Sequence, residues 1–302
     1  MSMLTRIVES EHDNTKIKPY LKDVMGLSSR FLKKAGREDR VMVNGKPVFM
    51  NFMISAGDKI EINVQREETQ DIEPEDIPVD VVYEDDDILV LNKKPFMVVH
   101  PTKNYSTGTL ANGIMNYFKT TNQSCIVRLV SRLDMNTSGI IIIAKNQFAH
   151  MRLSDEMKTD RFEKRYLALV HGNLEEKEGT INKPIYRVGG QTIARTIDER
   201  GKESITHYKV VESFEGADLV ECLLETGRTH QIRVHLQSLG HPIFGDELYG
   251  KEFYEDDKEY IDRQALHAYG LDFYSPRSEE KVSLRANLPY DFNEAIEKLK
   301  NR

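Results

Sequence analysis

The chain has 302 residues, 39% of them hydrophobic, which suits one large domain or two unequal ones around a sizeable core. It has no long apolar run, and its start, Met1-Ser2-Met3-Leu4-Thr5-Arg6, lacks the apolar segment of a secretory signal, so neither a membrane span nor export is expected. The net charge of -7 argues against a nucleic-acid partner only if it is evenly spread; residues 1–64 carry 11 Lys+Arg against 8 Asp+Glu, whereas residues 65–87 carry 1 against 11.

In chain order, residues 16–26 place Leu21, Val24 and Met25 at helical spacing. Ser28 or Ser29 can cap a second helix running to about Ala35, with Arg30, Lys33, Lys34 and Arg37 in one stripe. Such a stripe is either a solvated face or a phosphate-binding one. Val41-Met42-Val43, an Asn44-Gly45 turn and Lys46-Pro47-Val48 read as a hairpin, and Lys59–Val64 alternates like a strand. Residues 65–78 are acidic and hold Pro74 and Pro78; like charges extend such a segment, so it reads as a linker between a small module (1–64) and a large one (79–302).

The large module shows short apolar strands at Ile88–Leu91, Met97–Val99, Gly139–Ala144, Tyr166–Val170 and Leu219–Leu224. Gly139–Ala144 is too apolar to be half exposed and is expected at the centre of a sheet. Helices are expected near 108–118, 147–157, 229–239 and 292–300. Strands outnumber helices without regular alternation, which predicts an α+β fold with a mixed or antiparallel sheet. The two cysteines, Cys125 and Cys222, form no C-x-x-C pair; core filling in a reducing cytoplasm accounts for them.

Three runs carry possible chemistry. Arg132-Leu133-Asp134-Met135-Asn136-Thr137-Ser138-Gly139 puts a carboxylate on a turn beside the central strand, where a nucleophile would be held rigidly. By spacing alone, an ordinary Asp turn is the better account. In Arg228-Thr229-His230-Gln231-Ile232-Arg233, Thr229 can cap a helix that turns His230, Arg233 and Gln237 to one face. A guanidinium there could pair with a carboxylate and keep it ionised; a water-facing helix face is the alternative. Lys164-Arg165-Tyr166 opens a strand, and its tyrosine could either pack in the core or stack on a base. His230 and His235 are five residues apart, with no H-E-x-x-H and no cysteine cluster, so no metal site is expected.

Taken together, these runs resemble the RluA-type pseudouridine synthases. The likeness includes Tyr83-Glu84-Asp85, Val99-His100-Pro101, Gly108-Thr109-Leu110, Arg132-Leu133-Asp134, Thr137-Ser138-Gly139, Lys164-Arg165-Tyr166, Thr226–His235, Gly240–Ile243, Gly245-Asp246, Tyr249-Gly250 and Leu266-His267-Ala268. Ser29-Arg30, Val43-Asn44-Gly45 and Gly57-Asp58-Lys59-Ile60 resemble the RNA-binding module named after ribosomal small-subunit protein S-four, with Asp39 where that module usually has glycine. The likeness implies Asp134 as nucleophile, Tyr166 stacking on the target base and helping to remove a ring proton, Arg233 pairing with the aspartate, and Arg132 holding the nucleotide out of its stack. Arg228, His230 and Gln231 then fall to substrate binding, and Arg30, Lys33 and Lys34 to phosphate contacts. Two positions depart from the pattern: Ser131 stands where many members have histidine, and Asn92-Lys93-Lys94-Pro95-Phe96 replaces N-K-P-x-G, putting Phe96 in place of glycine.

The implied reaction moves a ribose bond from a ring nitrogen to a ring carbon of uracil. Atoms are neither added nor removed, so no cofactor and no metal is expected. Attack could fall on the uracil ring or on the ribose anomeric carbon. The nucleotide has to leave its stack, which is easiest in a loop or bulge. Large-subunit ribosomal RNA is the expected partner, with transfer RNA behind it and a monomer as the default state. The rivals are a non-catalytic RNA-binding assembly factor and a magnesium-dependent aspartyl-phosphate phosphotransferase; the second lacks its usual second acid after Asp134.

Overall fold

A computed structural model describes residues 3–64, 69–189 and 193–302. The N-terminal module contains β1 (Met3–Ile7), β2 (Thr15–Lys16), α1 (Ile17–Pro19) continued by one π-helical stretch (Tyr20–Val24), α2 (Ser29–Arg37), β3 (Val41–Val43), β4 (Lys46–Pro47), β5 (Met53–Ile54) and β6 (Lys59–Asn63). Its sheet runs β1-β6-β3-β4, all antiparallel. Ser28 caps α2, its Oγ accepting from the Phe31 N–H at 3.2 Å. Asn44 and Gly45 both take positive φ, 51° and 76°, as a two-residue hairpin turn requires. Asp39 also takes a positive φ of 50°, the region that glycine favours. Phe31, Leu32 and Ala35 of α2 face the module's core, which leaves Arg30, Lys33 and Arg37 exposed.

The remainder of the chain forms β7 (Val81–Glu84), β8 (Ile88–Lys93), α3 (Leu110–Thr120), β9 (Arg128–Leu129), β10 (Ser138–Ala144), α4 (Gln147–Glu156), β11 (Glu163–His171), β12 (Glu178–Asn182), β13 (Ile185–Arg187), β14 (Arg195–Ile197), β15 (Ile205–Phe214), β16 (Ala217–Leu224), α5 (Gln231–Gln237), α6 (Tyr254–Asp257), β17 (Leu266–Tyr274), β18 (Lys281–Arg285) and α7 (Tyr290–Lys300). The large sheet runs β12-β15-β16-β11-β17-β10-β8-β7, with β18 beside β17 and β9 beside β10. Among the described residues only β10 and β17 pair in parallel, at Ser138–His267 and Gly139–Ala268, so the α+β sheet is mixed but mainly antiparallel.

All seven residues of β10 are buried, because α3 covers one face of β8–β10 and α4 the other. Leu89, Leu91, Ile141 and Ile143 pack with Leu110, Ile114 and Phe118; Val90, Ile140 and Ile142 pack with Ala149 and Leu153. Gly139 lies at φ 110°, and a Cβ there would collide with the Ala268 carbonyl. That contact explains the glycine of the Thr137-Ser138-Gly139 motif: only a residue without Cβ lets β10 leave the Asp134 loop so close to β17.

Two expectations differ from the structure. Met97–Val99 is not a strand; it lies in the irregular segment before α3, where Val98 and Val99 carbonyls accept from Leu110 and Ala111. Residues 65–68 of the expected linker lie outside the described residues, but 69–78 is no free tether. Ile72 is buried, Gln70 exchanges two hydrogen bonds with Val127, the Glu75 carboxylate accepts from the Gly108 N–H, and Asn112 donates to the Glu73 carbonyl. The acidic side chains repel one another, yet the backbone and one isoleucine still anchor the strap to α3. The two modules are also in contact, since Phe148 of α4 packs into the N-terminal core.

Candidate active site

Asp134 sits on the loop between β9 and β10, followed by a turn in which the Thr137 N–H donates to the Asp134 carbonyl at 3.2 Å. Buried cations hold this loop from beneath. The Lys93 ammonium donates to the carbonyls of Lys94 (2.8 Å), Met97 (3.0 Å) and Met135 (2.9 Å). Arg263 donates to the Asn136 carbonyl at 3.0 Å and is itself fixed by two bonds to Asp291. Gln264 reaches Thr137 Oγ1 at 3.3 Å. The Asp134 loop is therefore over-determined, as a preorganised site demands.

The Asp134 carboxylate is a quarter exposed, and its Oδ2 accepts from Arg233 Nη1 at 3.0 Å. Arg233, on α5, makes a second pairing with Asp246, which accepts from Nε at 2.7 Å and from Nη2 at 2.8 Å. Asp246 is fully buried and also accepts from the Leu248 and Tyr249 N–H groups. Burial alone would lower the Arg233 pKa, but the Asp246 bonds and the charges of Asp246 and Asp134 outweigh it and raise it. A permanent cation thus faces Asp134, held in place from behind by an acid that no solvent reaches.

Tyr166, on β11, lines the same recess as Asp134 and Arg233 and is 8% exposed. Burial, and then the charge of Asp134, push its phenol well above the ordinary tyrosine value. Such a phenol stays protonated at neutral pH. It can stack on a base and donate a hydrogen bond, and it could accept a ring proton only by passing its own on. His230 lies with Nε2 3.9 Å from Asp134 Oδ2 and Nδ1 2.8 Å from the Tyr249 hydroxyl; burial lowers its pKa, so the ring is neutral.

The sequence placed α5 two residues too early and gave it the wrong cap. His230, not Thr229, is the N-cap, in the left-handed region at φ 60° and with no side-chain cap bond. Nor does α5 turn a face to water: Gln231 through Leu236 are all buried, and only Gln237 is exposed. Gln231 also plays a different part. Its Oε1 accepts from Thr226 Oγ1 and the Arg228 N–H, and its Nε2 donates to the Ile205 carbonyl and Thr206 Oγ1. That amide has no capacity left for a ligand, and it shapes the 226–231 loop instead.

A wider groove opens beyond the recess, bordered by His100, Ser131, Tyr166 and Thr229. Among the described residues its charged lining is Arg132, Lys164, Arg195 and Arg228 against the single acid Asp134. Among the described residues none of these four cations forms an ion pair. Burial and then the charge of Arg228 push Lys164 down to about 8, so the pair is short of an anion. Arg30, Lys33 and Lys34 do not line this groove; they lie on α2 in the N-terminal module, Arg30 and Lys33 exposed and Lys34 half-buried. Among the described residues no group of three His, Cys, Asp or Glu side chains could hold a metal ion, and no helix is long and apolar enough to cross a membrane.

Sequence reasoning missed the supporting groups. Asp246 appears within Gly245-Asp246, but nothing local says that this acid pairs with Arg233, 13 residues away. Lys93 ends an apolar strand, and Arg263 lies in no motif. A lysine or arginine beside a buried strand could have been asked for its acceptor.

Comparison with known proteins follows this geometry closely. Residues 87–238 match the family model described as RNA pseudouridylate synthase, a span that contains Asp134, Tyr166 and Arg233. An uncharacterized RNA pseudouridine synthase of Bacillus subtilis, YjbO, is 38% identical over 90% of this chain and 95% of its own length. The ribosomal large subunit pseudouridine synthase D of Escherichia coli K12 is 35% identical over 86% of this chain and 82% of its own. Among solved structures, human RNA pseudouridylate synthase domain containing 1 superposes with a TM-score of 0.58 at 30% identity, covering 74% of this chain and 87% of that one.

Proposed function

The chain belongs to the RNA pseudouridine synthase family, and from that premise we propose that Asp134 is its nucleophile, acting on a uridine of large-subunit ribosomal RNA. The activity itself, isomerisation of uridine in RNA, is that of the family. The observation that carries the assignment is the chain of contacts Asp246–Arg233–Asp134, which ends in a recess shared with Tyr166. In this reading Asp134 attacks the flipped nucleotide, the bond between ribose and ring nitrogen breaks, and the ribose is rejoined to the ring carbon, whose proton leaves. Arg233 sets a fixed positive charge beside the Asp134 carboxylate as the base enters. Tyr166 forms the wall against which uracil stacks. Arg132, Lys164, Arg195 and Arg228 meet the flanking phosphates, and His230 borders the base.

The name of the Escherichia coli relative supports the ribosomal substrate. The N-terminal module, residues 1–64, adds phosphate contacts through Arg30, Lys33 and Lys34. The test is tritium release from 5-tritiated uridine in total RNA of a strain lacking the gene. Wild type should release tritium, and Asp134→Asn should release none while keeping its melting temperature. Release by Asp134→Asn at the wild-type rate would remove the assignment. Pseudouridine mapping of the same RNA would then show whether the modified site lies in the large ribosomal subunit.

A further inference from the structure

Phe96 combines three properties that ordinary packing does not explain. It has a positive φ of 59°, a strained backbone for a residue with a bulky side chain. The residue is 56% exposed, so burial does not compensate the strain. Its turn is nonetheless pinned firmly. Lys93, 1% exposed, donates to the carbonyls of Lys94 and Met97 on either side of it, and to that of Met135. The Met97 N–H donates to the same Met135 carbonyl at 3.2 Å. Met135 directly follows Asp134. A strained, exposed aromatic is thus locked to the loop that carries the reacting carboxylate, and strain kept in place by its surroundings points to function.

We propose that Phe96 is a stacking platform for a base next to the target uridine, held at the edge of the active site by the Lys93 clamp. An RNA whose uridine reaches Asp134 has to pass its neighbouring nucleotides over the rim of the recess, and those neighbours are unstacked where the uridine was withdrawn. An exposed phenyl ring offers such a base a replacement partner whatever its identity. The groove beyond the recess carries four cations for the phosphates, and the Phe96 ring adds a second stacking surface to that of Tyr166. Met135, the residue after Asp134, is itself 38% exposed. The proposal rests on the reading of Asp134 as the reacting group.

The experiment uses the full chain and total RNA, labelled with 5-tritiated uridine, from a strain lacking the gene. Phe96→Gly and Phe96→Asn remove the ring but accept positive φ; Phe96→Trp keeps an aromatic. Loss of one stacked base should raise the apparent KM roughly 5- to 100-fold in the Gly and Asn variants. Their kcat at saturation should stay within about twofold of wild type, because the ring does not touch the reacting atoms. Their melting temperature should equal or exceed wild type, since strain is relieved. Phe96→Trp should restore KM to within about threefold. An unchanged KM in both Gly and Asn variants would overturn the proposal. So would a lowered melting temperature with kcat and KM both impaired and no rescue by tryptophan, because the ring would then be structural. Tritium release by Asp134→Asn in the same assay would instead overturn the underlying active-site reading.

Discussion

Replacing Asp246 by Asn tests whether Arg233 is held from behind. Asp246 is fully buried and accepts four hydrogen bonds, two from Arg233 and one each from the Leu248 and Tyr249 N–H groups. Asparagine keeps the shape and one oxygen but turns an NH2 group toward a guanidinium. Arg233, 7% exposed, is left with Asp134 as its only charged partner among the described residues. Removing one member of a buried ion pair costs about 3–5 kcal/mol. At roughly 2–4 °C per kcal/mol for a domain of this size, the melting temperature should fall by about 6–20 °C. Turnover should fall as well, by at least about tenfold, as Arg233 loses the bidentate bond that fixes its direction. Asp134→Asn should do the opposite. Asp134 is a quarter exposed, and its loss leaves Arg233 paired to Asp246, so stability should change by only about 0–1 kcal/mol while activity disappears. Thermal denaturation and single-turnover tritium release on both variants provide the comparison. An Asp246→Asn enzyme with unaltered stability and full turnover would refute the reasoning.

Lys164 should make RNA binding pH-dependent: burial holds it down to about 8, so its charge, and with it phosphate affinity, is lost as pH rises through that value. Apparent KM should climb between pH 7.5 and 9 in wild type and stay flat in Lys164→Met. His267, 1% exposed, is held by burial at about 4, against an ordinary imidazole value near 6.5. The unfolded chain therefore binds the extra proton first as pH falls, and stability should decline from pH 6.5 down to 4, by at most about 3 kcal/mol. Urea denaturation across that range should show a shallower slope for His267→Gln. Deleting residues 1–64, with Phe148→Ser to cover the surface this uncovers, should raise KM for RNA and leave kcat at saturation intact; complete loss at saturating RNA would contradict an auxiliary role for the module.

The sequence alone determined the elements whose signals are local. Asn44-Gly45 demanded a hairpin turn, Ser28 a helix start, and the unbroken apolar run Gly139–Ala144 a strand covered on both faces. The chemistry came into view through the family resemblance carried by the order of many short motifs around Asp134, Tyr166 and Arg233; the spacing of any one run left it open. The tertiary structure decided what depends on partners far apart in the chain. Asp246 as the anchor of Arg233, and Lys93 and Arg263 as clamps on the Asp134 loop, join residues that no periodicity relates. Gln231 left the ligand set because four internal partners occupy its amide, and the acidic strap stays docked because α3 and Val127 supply hydrogen bonds that charge counting does not see. Local propensity is written along the chain; the satisfaction of buried charges and hydrogen bonds is a property of the folded neighbourhood, and it appears only once the neighbours have met.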